Sequence, residues 1–180
     1  LLQLLGVKYL LVPNRPDHNT KTVKRTDRRF APLWTDNIYT IYEYTETFPR
    51  AYLVGDFRAA TSDGETLATV FDPAVDLRKT VVLEEQQQEF PGGQAIKGDA
   101  TVQSYTPNRV TIKTMTDKPA FLFLSDTYFP GWIATIDSKE TKIYQADFVF
   151  RAVLVPAGNH TVIFSYKPLS FTLGVIGTIG

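Results

Sequence analysis

The chain has 180 residues, 43% of them hydrophobic and 13% aromatic, and its nineteen basic side chains balance nineteen acidic ones. A balanced charge argues against a protein that lives on nucleic-acid phosphates. The absence of cysteine removes disulfides and thiolate-bound zinc, and with only His18 and His160, far apart, neither a metal centre nor a cofactor is expected.

In chain order, Leu1 to Leu5 reads as the end of a short apolar helix stopped by Gly6. Val7 to Val12 reads as a buried strand. Pro13 to Pro32 is polar and carries Lys21, Lys24, Arg25, Arg28 and Arg29, the pattern of a loop or irregular hairpin. Residues 38–44 and 51–57 are strand-like, rich in aromatic and β-branched side chains. Ser62-Asp63-Gly64-Glu65 has capping-box spacing, and Leu67, Val70 and Phe71 follow at helical intervals, which predicts a helix over 63–71. Residues 80–83 form a strand that enters the glutamine-rich run 84–89, and Pro91-Gly92-Gly93 extends that run as a linker.

From Ala100 the pattern changes. Short strands recur over residues 100–105, 109–115, 119–126, 132–137, 140–145, 148–155 and 160–167, separated by Pro, Gly, Asn and Asp. That spacing predicts a β-sandwich. Phe121-Leu122-Phe123-Leu124 is apolar on both faces, so its strand is expected at the centre of a sheet. The fold class is therefore mainly β: a C-terminal immunoglobulin-like or jelly-roll-like sandwich over 97–168 and a smaller N-terminal α/β lobe over 1–96. Domains near 70 residues bury too little surface to be robust alone, so the two lobes are expected to share an interface. Residues 169–180 are uncharged and apolar, and read as the start of a truncated transmembrane helix.

The segment Ser125-Asp126-Thr127-Tyr128-Phe129-Pro130-Gly131-Trp132, with residues 137–144 and Phe150-Arg151-Ala152-Val153-Leu154-Val155-Pro156-Ala157-Gly158, resembles the C-terminal extracytoplasmic region of the YfhO-type bacterial membrane protein family. Leu4 to Val12 and Pro49 to Val54 are similar to upstream blocks of that family. The resemblance implies a large polytopic parent that looks like a glycosyltransferase using a lipid-linked sugar to modify cell-surface polymers. In that architecture the catalytic carboxylate lies outside this stretch, so no catalytic residue is carried over.

The strongest ligand-site candidates are Asp126, Tyr128, Trp132 and Arg151. Tyr128, Phe129 and Trp132 are suited to stacking on a sugar face while Asp126 accepts hydroxyl hydrogen bonds. The plainer expectation is that Pro130-Gly131 turns the chain and Trp132 plugs the sandwich core. Arg151 sits in an apolar strand and, if it faces inward, requires a carboxylate such as Asp126 or Asp147. Asp126, Asp137, Glu140 and Asp147 supply carboxylates, but nothing in their spacing makes the paired acids of a glycoside hydrolase. The Lys21–Arg29 cluster reads as a solvated loop, with contact to anionic lipid or teichoic-acid phosphate as the alternative.

The sequence thus points to a non-catalytic accessory domain at the extracytoplasmic face of the cell membrane. Its expected partners are the membrane portion of its parent and a glycan or lipid-linked sugar. A carbohydrate-binding module using Tyr128 and Trp132 is the alternative, and a soluble glycoside hydrolase a remote third.

Overall fold

The computed structural model describes residues 2–14, 27–85, 90 and 92–168. Within them the chain is mostly β, as its aromatic and β-branched composition predicts. It divides into two compact units, Leu1–Pro49 and Arg50–Gly180.

In the first unit, Leu2 to Gly6 form a turn in which Gly6 N–H donates to the Gln3 carbonyl and Val7 N–H to that of Leu2. Gly6 closes it at φ +65; the segment expected to end a helix is a turn among the described residues. Strands β1 (Tyr9–Pro13), β2 (Phe30–Thr35) and β3 (Tyr39–Tyr44) make a three-stranded antiparallel sheet in the order β1-β3-β2. β2 begins inside the stretch 13–32 that its polar, basic composition marks as a loop or irregular hairpin, and it includes Pro32. Proline is tolerated there because β2 is an edge strand, and a bulge between Pro32 and Trp34 absorbs the irregularity. Residues 21–26 of the basic cluster lie outside the described residues, while Arg29 is paired with Asp27 at 2.7 Å.

The second unit is the sandwich. The remaining strands are β4 (Ala51–Val54), β5 (Asp56–Ala59), β6 (Thr80–Leu83), β7 (Gly98–Thr106), β8 (Arg109–Thr116) and β9 (Ala120–Leu124). They continue as β10 (Trp132–Ile136), β11 (Lys139–Thr141), β12 (Tyr144–Ala146), β13 (Phe150–Val155) and β14 (Gly158–Tyr166). One sheet runs β11-β10-β14-β8-β7 and the other β4-β9-β13-β12-β6-β5. Val110, Ile112, Val162 and Phe164 from the first sheet pack against Leu122, Leu124, Val153 and Val155 from the second to form the core. β9 lies between β4 and β13 with every residue buried, which is the position its two-faced apolar run predicts.

The division between compact units falls after Pro49, not near residue 96. Residues 51–83 contribute β4, β5 and β6 to a sheet whose other strands come from residues 120–155, so the expected interface between lobes is a continuous hydrogen-bonded sheet. The α/β part is local: β5 and β6 are parallel and joined through helix α1 (Asp63–Val70). Ser62 caps α1 by accepting from Glu65 N–H, and the Glu65 carboxylate accepts from Thr61 N–H and hydroxyl.

Two further segments differ from expectation. The single strand expected over 140–145 is two, β11 and β12, and the chain crosses from one sheet to the other between them. The other is Phe90, which follows the glutamine-rich run in sequence and is buried, 5.0 Å from the Phe121 ring and 5.9 Å from Phe57. Burying one phenyl contributes ~1.5–3 kcal/mol. Residues 169–180, expected to begin a membrane span, lie outside the described residues. Among the described residues, no helix is long and apolar enough to cross a membrane.

A charged, aromatic-walled cleft as candidate functional site

Side chains on β13 alternate between the two faces of its sheet. Val153 and Val155 point into the core between the sheets, and by the same alternation so does Arg151, at the end of that row. The residue is only 2% exposed. Its guanidinium lies over the Trp132 ring, 4.0 Å from the centroid, with Phe164 at 5.4 Å. Nη2 donates to Asp126 Oδ2 at 3.0 Å, while Nε and Nη1 have no hydrogen-bond partner. Burial lowers the Arg151 pKa, and the Asp126 carboxylate opposes that shift.

Asp126 stands just beyond β9, where its N–H donates to the Leu124 carbonyl. The β4–β9 pairing brings Arg50 opposite Ser125, whose N–H donates to the Arg50 carbonyl. From there Arg50 Nη1 donates to Asp126 Oδ1 at 2.9 Å, and the Tyr105 hydroxyl donates to the same oxygen at 3.0 Å. Arg50 also lies 4.9 Å from the Tyr105 ring centroid. Burial raises the Tyr105 pKa, and the negative charge of Asp126 adds to the effect.

Tyr105, Asp126 and Arg151 line an open cleft of about 500 Å³ at one end of the sandwich, together with Phe129, Trp132 and Tyr166. Gly131 shapes its rim. It adopts φ +96, and a Cβ there would lie 3.0 Å from the Tyr166 ring. Trp132 packs against the core and also lines the cleft, 5.4 Å from Tyr166.

Of the four residues singled out from sequence, Asp126, Trp132 and Arg151 come together. Tyr128 does not line the cleft; its N–H donates to the Val149 carbonyl and its side chain is exposed. Its neighbour Phe129 takes the position on the wall. Arg50 and Tyr105 were missed. They lie 76 and 21 residues from Asp126, and only strand register connects them.

The other carboxylates have different partners. Asp137 accepts from His160 Nδ1 at 2.6 Å and from Thr161 N–H at 2.9 Å. Asp147 is buried and accepts from Val82 N–H at 2.8 Å, with Oδ2 unpartnered; burial pushes its pKa up to about 7. Glu140 lies on β11. Among the described residues, no three His, Asp or Glu side chains gather as a metal ion requires.

The fold and the cleft together define a β-sandwich domain with a polar, aromatic-walled recess at one end. The family model for bacterial membrane protein YfhO matches residues 71–178, and the chain belongs to that family. It is thus a domain of a membrane protein. No curated protein and no solved structure matches the chain.

Proposed function

We propose that this chain is a non-catalytic accessory domain on the extracytoplasmic face of a polytopic YfhO protein. In this reading the cleft helps to hold the acceptor to which the parent transfers a sugar. The observation that carries it is the state of Asp126. Both of its oxygens are engaged, by Arg151 on one side and by Arg50 and Tyr105 on the other. Among the described residues, no second carboxylate lines the cleft. Glycoside hydrolysis needs two carboxyl groups across the scissile bond, one of them free to give up a proton. A single carboxylate locked between guanidiniums among aromatic walls suits recognition instead.

The test is sugar incorporation by the full-length protein in membranes, with Phe129→Ser and Tyr105→Phe in this domain. Reduced incorporation with a normally folded domain is expected. Incorporation at the wild-type rate in both variants would remove the cleft from the function.

A second reading, a carbohydrate-binding module, draws support from the rings of Phe129, Trp132 and Tyr166 around the cleft. Its simplest form, with Tyr128 and Trp132 as a paired platform, is weakened because Tyr128 is off the wall and Arg151 covers one face of Trp132. Titration of the isolated chain with purified wall polysaccharide separates the readings, since only a binding module gives a saturable signal without its parent.

A further inference from the structure

Directly opposed residues in an antiparallel sheet project to the same side. In the three-stranded sheet, Leu11 faces Ile41, and Ile41 faces Trp34, so these three form a row across all strands. Tyr9 and Pro13 on β1 and Tyr39 on β3 extend the same face. It is poorly covered: Leu11 is 63% exposed and Trp34 52%, and Tyr9 and Tyr39 are exposed as well. Ile38 at the β2–β3 turn is 61% exposed, and Leu33, the bulged residue, is exposed beside Trp34. Single exposed apolar side chains need no explanation, but a contiguous patch of this kind marks a contact surface. By contrast, Thr40 and Tyr44, which point to the opposite side, are buried.

Three observations identify the occupant. Tryptophan and tyrosine beside leucine and isoleucine are the side chains enriched where a bilayer meets water. Residues 13–32, which connect β1 to β2, contain six Arg or Lys and two Asp, a balance suited to anionic headgroups. Glu43, the acidic residue on this face, is paired with Lys8 at 3.7 Å, which offsets its repulsion of such headgroups.

We propose that this sheet face is a lipid-contact surface that rests in the interfacial layer of an anionic bilayer, with the Leu11–Ile41–Trp34 row and Ile38 against the acyl boundary. The contact is distinct from the cleft, and its failure would leave the cleft reading untouched.

The test uses the whole chain with vesicles of phosphatidylglycerol and phosphatidylethanolamine. Co-sedimentation is expected, together with quenching of tryptophan fluorescence by lipids brominated near the headgroup. Trp34→Phe should abolish the quenching while the remaining Trp132 stays bright. Leu11→Ser combined with Trp34→Ser should lower the bound fraction about tenfold or more, because the apolar area that drives partition is lost. These side chains are exposed, so an unchanged circular dichroism spectrum is expected and checks the fold. Absence of vesicle binding would overturn the proposal. So would undiminished binding by the double variant, or a concentration-dependent dimer that the double variant disperses without any lipid association.

Discussion

The Arg151 guanidinium lies over the Trp132 ring, 4.0 Å from its centroid, at the end of a core-facing row that continues along its strand through Val153 and Val155. A cation here is tolerated because Asp126 reaches it from the rim and two aromatic rings flank it.

The two arginines on Asp126 should therefore be unequal in energy. Asp126→Ala leaves Arg151 buried without its counter-charge and is expected to cost ~3–5 kcal/mol in urea unfolding. Arg50→Ala removes a side chain that is about half exposed, and should cost about 1 kcal/mol or less. Equal losses would mean that Arg151 is not held by the carboxylate.

Asp147 predicts a pH dependence of the opposite sense to an ordinary paired carboxylate. Its pKa rises from 3.8 to about 7 on folding, so the native state holds the proton more tightly than the unfolded chain does. The associated stability is complete below the unfolded pKa and drains away as pH climbs through the folded one. Asp147→Asn stays neutral, and asparagine suits the left-handed φ of +46 at this position. The variant should lack that decline and exceed the wild type at pH ~8, by up to about 4 kcal/mol. A constant difference from pH ~4 to ~8 would refute the assignment.

The Asp137–His160 pair gives a bell-shaped contribution. Asp137 holds the His160 pKa above 6.5, and His160 with the Thr161 N–H holds Asp137 below 3.8. The imidazole's contribution is lost as pH rises through its folded pKa, and the carboxylate's is lost as pH falls through its own. Thermal unfolding of Asp137→Asn should differ most from wild type between those limits, and at alkaline pH the difference should narrow to the part that the Thr161 N–H supplies.

Local geometry supplies two further expectations. Ser62→Ala removes the acceptor for Glu65 N–H and should cost ~1 kcal/mol. Gly55 lies where a Cβ would sit 2.1 Å from the Gln94 carbonyl oxygen, so Gly55→Ala forces the chain after residue 93 to move. A loss of about 1–3 kcal/mol in chemical denaturation is expected.

Features with a local cause were legible in the sequence. Gly6, the Ser62 cap, the two-faced run Phe121–Leu124 and the punctuated strands after Ala100 each express a short-range rule. What escaped was non-local. Nothing near Arg50 indicates that it faces Asp126, because that depends on β4 pairing with β9 in one register. The split of residues 140–145 was hidden for a related reason: both halves are strand, and only their different partners separate them. Phe90 was lost in a polar composition that outweighed it. Tyr128 and Phe129 offer similar rings in the sequence, and only the turn at Gly131 places the phenyl on the wall and leaves the phenol off it.

The six-stranded sheet also constrains the order in which the chain can mature. β4, β5 and β6 leave the ribosome first, but the strands that separate β4 from the parallel pair, β9, β13 and β12, are completed only at residue 155. β5 and β6 can pair with each other and β4 with β9, but the hydrogen-bonding edge of β6 stays open until β12 is made at residues 144–146. Such an order favours late, cooperative closure of the sheet over stepwise growth along the chain.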